Sequence, residues 1–184
     1  VDLFEPGVAP HRLSLLRRHR YQVGGRVSST LQDELLVRRT LERYMRYNDD
    51  RRLDQILALF APDAVYRVAG RIYTGHDQIR AFFVGVGYQE GRPQWIDDGQ
   101  LMVMPRSAHL LSNPLIDVDG DDAVAESDFV VVERDDLGHG RISLAGRYRD
   151  RLRRQGGTWL FAERTGVSMA RRSAPEGAQE PFPV

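Results

Sequence analysis

The chain contains no cysteine. Disulfides, thiolate nucleophiles, iron–sulfur clusters and cysteine-bound zinc are thereby excluded. Lysine is absent too, so all 26 basic residues are arginine. That removes Schiff-base chemistry and the lysine of a phosphate-binding loop. Neither sign of charge is in excess: 26 acidic residues balance the 26 arginines, and the formal net charge is zero. A general electrostatic grip on nucleic acid needs a basic surplus or face, so no nucleic-acid partner is expected. No run reaches the roughly 18 apolar residues of a membrane span, and no membrane partner is expected. The first residues lack the short apolar core of a signal peptide, which makes a cytoplasmic location the expectation. Acid–base work is left to five histidines, the carboxylates and the tyrosines.

What is present fits one ordinary globular domain. The chain has 184 residues, of which 41% are hydrophobic and 28% charged. Residues 1–28 read as an N-terminal arm, with Pro6, Pro10, Gly24 and Gly25 around a basic cluster at His11, Arg12, Arg17, Arg18, His19 and Arg20. The arm is expected to wrap the body or a neighbouring subunit. Residues 29–170 read as the domain and residues 171–184 as a flexible tail. Ser29 with Gln32, or Thr30 with Asp33, resembles a capping box. Leu31, Leu35, Val37, Leu41, Tyr44, Met45 and Asn48 then recur at helical spacing, and the helix is expected to end near Asp49 and Asp50. A second helix is expected to carry Leu53, Ile56, Leu57 and Phe60 up to Pro62. The period then changes to that of strands at Ala64–Ala69 and Arg71–Tyr73. A third helix opens at Gly75, and Gly85–Gly99 reads as a long loop. Strands are expected within Leu101–Val118, where Pro105 and Pro114 break the apolar pattern, and over Ala123–Glu133, Ile142–Arg154 and Thr158–Ser168. Helices followed by meandering strands predict an α+β fold, with the helices on one face of a curved antiparallel sheet and a pocket between them.

Several of these segments resemble a known family in order and spacing. They are Tyr44–Asp49, Leu57–Tyr66, Tyr73–Ile79, Ala108–Asn113, Gly120–Ser127, Gly146–Asp150 and Gly157–Phe161. Together the body from about Leu31 to Met169 resembles the SnoaL-like branch of the nuclear transport factor 2-like (NTF2-like) superfamily, a cone of helices on a curved sheet. The resemblance implies one of several activities, since one fold hosts many. Polyketide cyclases, scytalone dehydratase, a dehydrochlorinase, steroid isomerases, epoxide hydrolases, dioxygenase β subunits and non-enzymatic binders all use the fold. In the dehydratase and dehydrochlorinase a strand histidine pairs with an aspartate at the end of the first helix. His109 and Asp49 stand at the matching places, with Asp50 as a competitor for Asp49. Tyr66 stands where the dehydratase has a pocket tyrosine. The resemblance also implies a homodimer.

The chemistry of such residues is general-base catalysis. A histidine takes a proton near neutral pH, and a carboxylate on its other nitrogen fixes the tautomer. The reading is therefore a cofactor-independent lyase, isomerase or cyclase acting on a small hydrophobic carbonyl compound. His109 would be the base, Asp49 its orienting partner and Tyr66 a donor to the developing oxyanion. Alternation puts Leu111 and Asn113 on the face of His109, and Ser127, Phe129 and Arg147 are further candidates for substrate binding. Met102 and Met104 are placed at the pocket mouth. His76 is expected to be structural and His139 solvated. No two histidines have metal-ligand spacing, and elimination, isomerisation and aldol closure need neither a metal nor an organic cofactor, so none is expected. The acidic run Asp117–Asp122 reads as a hairpin turn rather than a calcium loop, because it lacks the twelfth-position glutamate. The alternatives are a non-catalytic small-ligand-binding or assembly subunit, and an epoxide hydrolase of related fold. The latter would need an Asp–Arg–Asp set that the sequence does not point out.

Overall fold

A computed structural model describes residues 26–88, 107–135 and 137–169, with side chains from Thr30 onward. Residues 1–25 of the arm, the pair Met102 and Met104 and the tail therefore lie outside the described residues, as does most of the long loop, while residues 26–28, read as arm, are helical. None of the described helices is long and apolar enough to cross a membrane.

Helix α1 runs Arg26–Asp49 and ends where the sequence pattern predicts. It buries Val37, Leu41, Tyr44 and Met45. Leu31 and Leu35, counted on the same stripe from spacing, stand exposed. A short helix α2, Leu53–Leu57, follows. It stops three residues before Phe60, because Phe60 opens strand β1 (Phe60–Val68) instead of closing the helix. The reason lies in the core: Phe60 is buried and registers against Phe161. Pro62 falls in the irregular stretch between Phe60 and Val65, the kind of place where a strand tolerates proline.

Strand β2 (Arg71–Thr74) and helix α3 (Gly75–Gly85) come next, then the long strands β3 (Ser107–Asp119), β4 (Asp122–Arg134), β5 (Gly140–Gln155) and β6 (Thr158–Ser168). The result is α+β: helices packed against a six-stranded sheet of order β2-β1-β6-β5-β4-β3. All neighbours are antiparallel except β1 and β6. Strand β3 is thus an edge, and α1 packs against it.

Pro114 does not break β3. The ladder runs through it with a register shift between Ser112 and Leu115, and Asn113 adopts a positive φ of 49°. Asparagine tolerates that left-handed conformation better than most residues. The bulge changes the phase of the strand: Leu111 opposes Phe129, but Ile116 opposes Ala125. On β4 and β5 alternation holds, with Ala123, Ala125, Ser127, Phe129 and Val131 buried, and Gly146, Tyr148, Asp150 and Leu152 buried beside them. These faces meet Tyr44 of α1, whose ring contacts Phe60, Tyr148 and Phe161 edge-on.

Candidate active site

Asp49 is the last residue of α1. A carboxylate there faces the negative end of the helix dipole, which is electrostatically unfavourable. The chain then turns sharply at Arg51, whose φ is 55°. What offsets the position of Asp49 is β3. Its Oδ1 accepts the backbone N–H of His109 at 2.9 Å and lies 2.7 Å from the ring Nδ1 of the same residue. An edge strand has N–H groups free for such a bond. The backbone bond fixes the carboxylate against β3, and a carboxylate beside Nδ1 favours, in the neutral ring, the tautomer with its proton on Nδ1 and the lone pair on Nε2. The Asp49 side chain is 8% exposed and that of His109 17%. The pair is shielded but reachable.

Asp50, the competing carboxylate, is buried and pairs with Arg52 at 3.1 Å. Beside the Asp49–His109 pair lies a groove of about 260 Å³. Glu42, Met45 and Arg46 line it from α1, and Leu110 and Leu111 from β3.

The other sequence-predicted residues scatter. Leu111 reaches the groove as expected. Tyr66 does not line it: its hydroxyl lies 3.0 Å from that of Tyr44, within the ring cluster of Phe60, Phe82 and Phe83. Burial raises the Tyr66 hydroxyl well above the usual tyrosine value. Ser127 and Phe129 face the buried side, where Phe129 stacks on Tyr148 at 4.4 Å. Arg147 and Asn113 correct the expectation. Arg147 is half exposed and bonds Asp128 at 2.7 Å, because odd positions of β5 face away from the helices. Asn113 sits at the bulge, is exposed and bonds the same Asp128 at 3.3 Å. His76 is structural, its Nε2 lying 2.9 Å from the Phe60 carbonyl. His139 is exposed beside Asp135.

Sequence reasoning missed two features. Tyr88 is buried, and its hydroxyl donates to Asn48 Oδ1 at 2.9 Å, next to Asp49 in sequence. The sequence pattern places it in the loop after Gly85, and nothing in that pattern marks it. The second is Asp150 with Arg164, paired at 3.0 Å and both wholly enclosed. The rings of Tyr44, Tyr148 and Phe161 surround the guanidinium at 4.0, 3.7 and 4.5 Å. Burial pushes the Asp150 carboxyl up to about 7, against the opposing pull of Arg164. Alternation with Tyr148 and Leu152 was the available signal. Among the described residues, no second carboxylate joins Arg164 to complete the Asp–Arg–Asp set of the epoxide reading.

The geometry can be set beside known proteins. The SnoaL-like domain pattern matches residues 29–165. No curated protein matches the chain. Among solved structures, a Mycobacterium tuberculosis protein of unknown function is 24% identical, with 85% of this chain and 83% of that one covered and a TM-score of 0.67. An NTF2-like protein with a cystatin-like fold from Novosphingobium aromaticivorans is 23% identical, with 78% and 86% covered and a TM-score of 0.63. A putative scytalone dehydratase from the same organism is 21% identical, with 84% and 99% covered and a TM-score of 0.62. At these identities the likeness concerns the fold.

Proposed function

The chain belongs to the SnoaL-like domain family, and from that premise we propose that it is a cofactor-independent lyase, isomerase or cyclase. In this reading His109 removes a proton beside the carbonyl of a small hydrophobic compound lying in the groove. The observation that carries it is the doubly bonded Asp49 Oδ1, which orients the imidazole and leaves Nε2 as the proton acceptor. As the proton arrives, the imidazolium gains a carboxylate partner already in place. Met45, Leu110 and Leu111 supply apolar surface for the substrate body. Elimination, isomerisation and ring closure by aldol chemistry all begin with this step.

The test is exchange of carbon-bound protons. A panel of cyclic ketones such as 2-tetralone is incubated in D2O with the protein, and loss of the α-proton signals is followed by NMR. The wild-type chain is expected to exceed buffer, and His109→Ala to fall to background, a loss of about 10²–10⁴-fold. Exchange retained in His109→Ala overturns the reading.

A second reading, a non-catalytic binding or assembly subunit, draws on the sheet face turned away from the helices. Leu115, Val124 and Val167 stand exposed there. Pairing of two copies through that face, compatible with either reading, would cover them. The second reading expects a dimer by light scattering and no exchange by the wild-type chain.

A further inference from the structure

We propose that the groove takes an anionic substrate, an apolar body carrying a carboxylate, and that Arg46 is the residue that selects it. This rests on the groove being the substrate site. Four positions of α1 fall on one helical stripe toward it: Glu42, Met45, Arg46 and Asp49. Each has a different occupation. Met45 is buried in the core. Asp49 is held by His109. Glu42 accepts Arg38 Nε at 3.0 Å. Arg46 carries a full charge at the groove, and no carboxylate in the described chain answers it. Glu42, four residues earlier, is the partner that helical geometry would ordinarily provide, yet its carboxylate turns to Arg38, one turn further toward the N-terminus of α1.

The outcome is a groove with three chemically distinct parts. Its walls are the apolar side chains Met45, Leu110 and Leu111. His109 lines the groove beside Asp49, and about one helical turn back along α1 from Asp49 stands a guanidinium with unspent donors. A planar fork of N–H groups matches a carboxylate better than a neutral oxygen. A ligand spanning the groove would therefore set its acid group on Arg46, its apolar rings on the leucines, and its carbonyl-bearing carbon beside His109. Arg46 also lies in the last turn of α1, where a cation favours the helix dipole. That role alone would affect stability but would not discriminate between ligands, and the experiment separates the two.

The probes are 2-naphthoate and its uncharged counterpart 2-naphthamide, matched in shape. Each is titrated into the full chain at neutral pH while the His109 ring signals are followed by NMR, assigned with His109→Gln. The expected result is that naphthoate binds roughly fivefold or more tightly than naphthamide. Arg46→Gln should bring the two ligands level. Arg141→Gln, which removes the same charge from an exposed position on β5, should keep the preference. Arg38→Gln should weaken it, because Glu42 is then released toward Arg46. Equal affinities in the wild-type chain, or a preference that survives Arg46→Gln, overturn the assignment of Arg46 while leaving the groove as a ligand site. If neither ligand moves the His109 signals, the groove itself fails, and the proton-abstraction reading fails with it.

Discussion

At the scale of single residues, Asp49 illustrates a conflict between stability and use. Its carboxylate opposes the helix dipole, a cost of about 0.3–1 kcal/mol, and its two bonds from His109 return a comparable amount. Asp49→Asn removes the charge but keeps an oxygen that can accept both bonds. Stability in urea should therefore change by less than about 1 kcal/mol. The support of the charged form of His109 is what suffers. The ketone exchange rate should fall by about 10²-fold or more while the protein stays folded. A variant that loses stability and activity in step would point to Asp49 as a scaffold residue only. Gly146 carries the opposite lesson, that of an atom with no room. A Cβ there would stand 2.2 Å from the Val167 carbonyl and 2.7 Å from the Phe129 ring. The carbonyl belongs to a neighbouring strand and cannot step aside. Gly146→Ala should cost about 3 kcal/mol by urea unfolding, near the upper end for overpacking.

At the scale of elements, legibility followed periodicity and stopped at irregularity. The end of α1 and the whole of β6 could be read because helical spacing and β-prone runs are local properties. Phe60 could not. Its place on a strand is set by pairing with Phe161, a hundred residues away, and local spacing suits the helix equally well. The bulge at Asn113 had the same effect on the site. It rotated every later position of β3 and took Asn113 out of the buried face that simple alternation had given it. His109 precedes the bulge, so its pairing with Asp49 survived. The Asp50 competitor was settled by Arg52, a bond no spacing rule foresees. The Asp150–Arg164 pair ties β5 to β6 inside a ring of aromatics. Removing Asp150 leaves an unpaired buried guanidinium, and removing Arg164 leaves a buried carboxyl without its partner. Arg164→Met or Asp150→Leu should each cost about 3–5 kcal/mol in urea. The double replacement should recover much of that, since apolar side chains of similar volume suit the aromatic surroundings. A double variant as unstable as the sum of the two would show that the pair contributes nothing by its mutual attraction.

At the scale of the whole molecule, the core is unusual in being built around phenols. Tyr44, Tyr66, Tyr88 and Tyr148 are all buried. Burial raises each hydroxyl above the ordinary value of 10, to about 12 for Tyr88. The folded chain therefore keeps phenolic protons that the unfolded chain gives up. Above pH 10 the unfolded state binds fewer protons, so the slope of unfolding free energy against pH is negative. The contribution is whole below pH 10 and is lost as pH rises toward the folded values. Because the four rings share one cluster, they should ionise together and only on unfolding. Of seven tyrosines in the chain, at least four should appear as a single steep rise in phenolate absorbance, coincident with loss of the far-ultraviolet circular dichroism. Tyr66→Phe should reduce the height of that step by one phenol and shift its midpoint to higher pH. Four phenols titrating smoothly near pH 10 with the fold intact would mean that water reaches the ring cluster and that burial does not hold these protons.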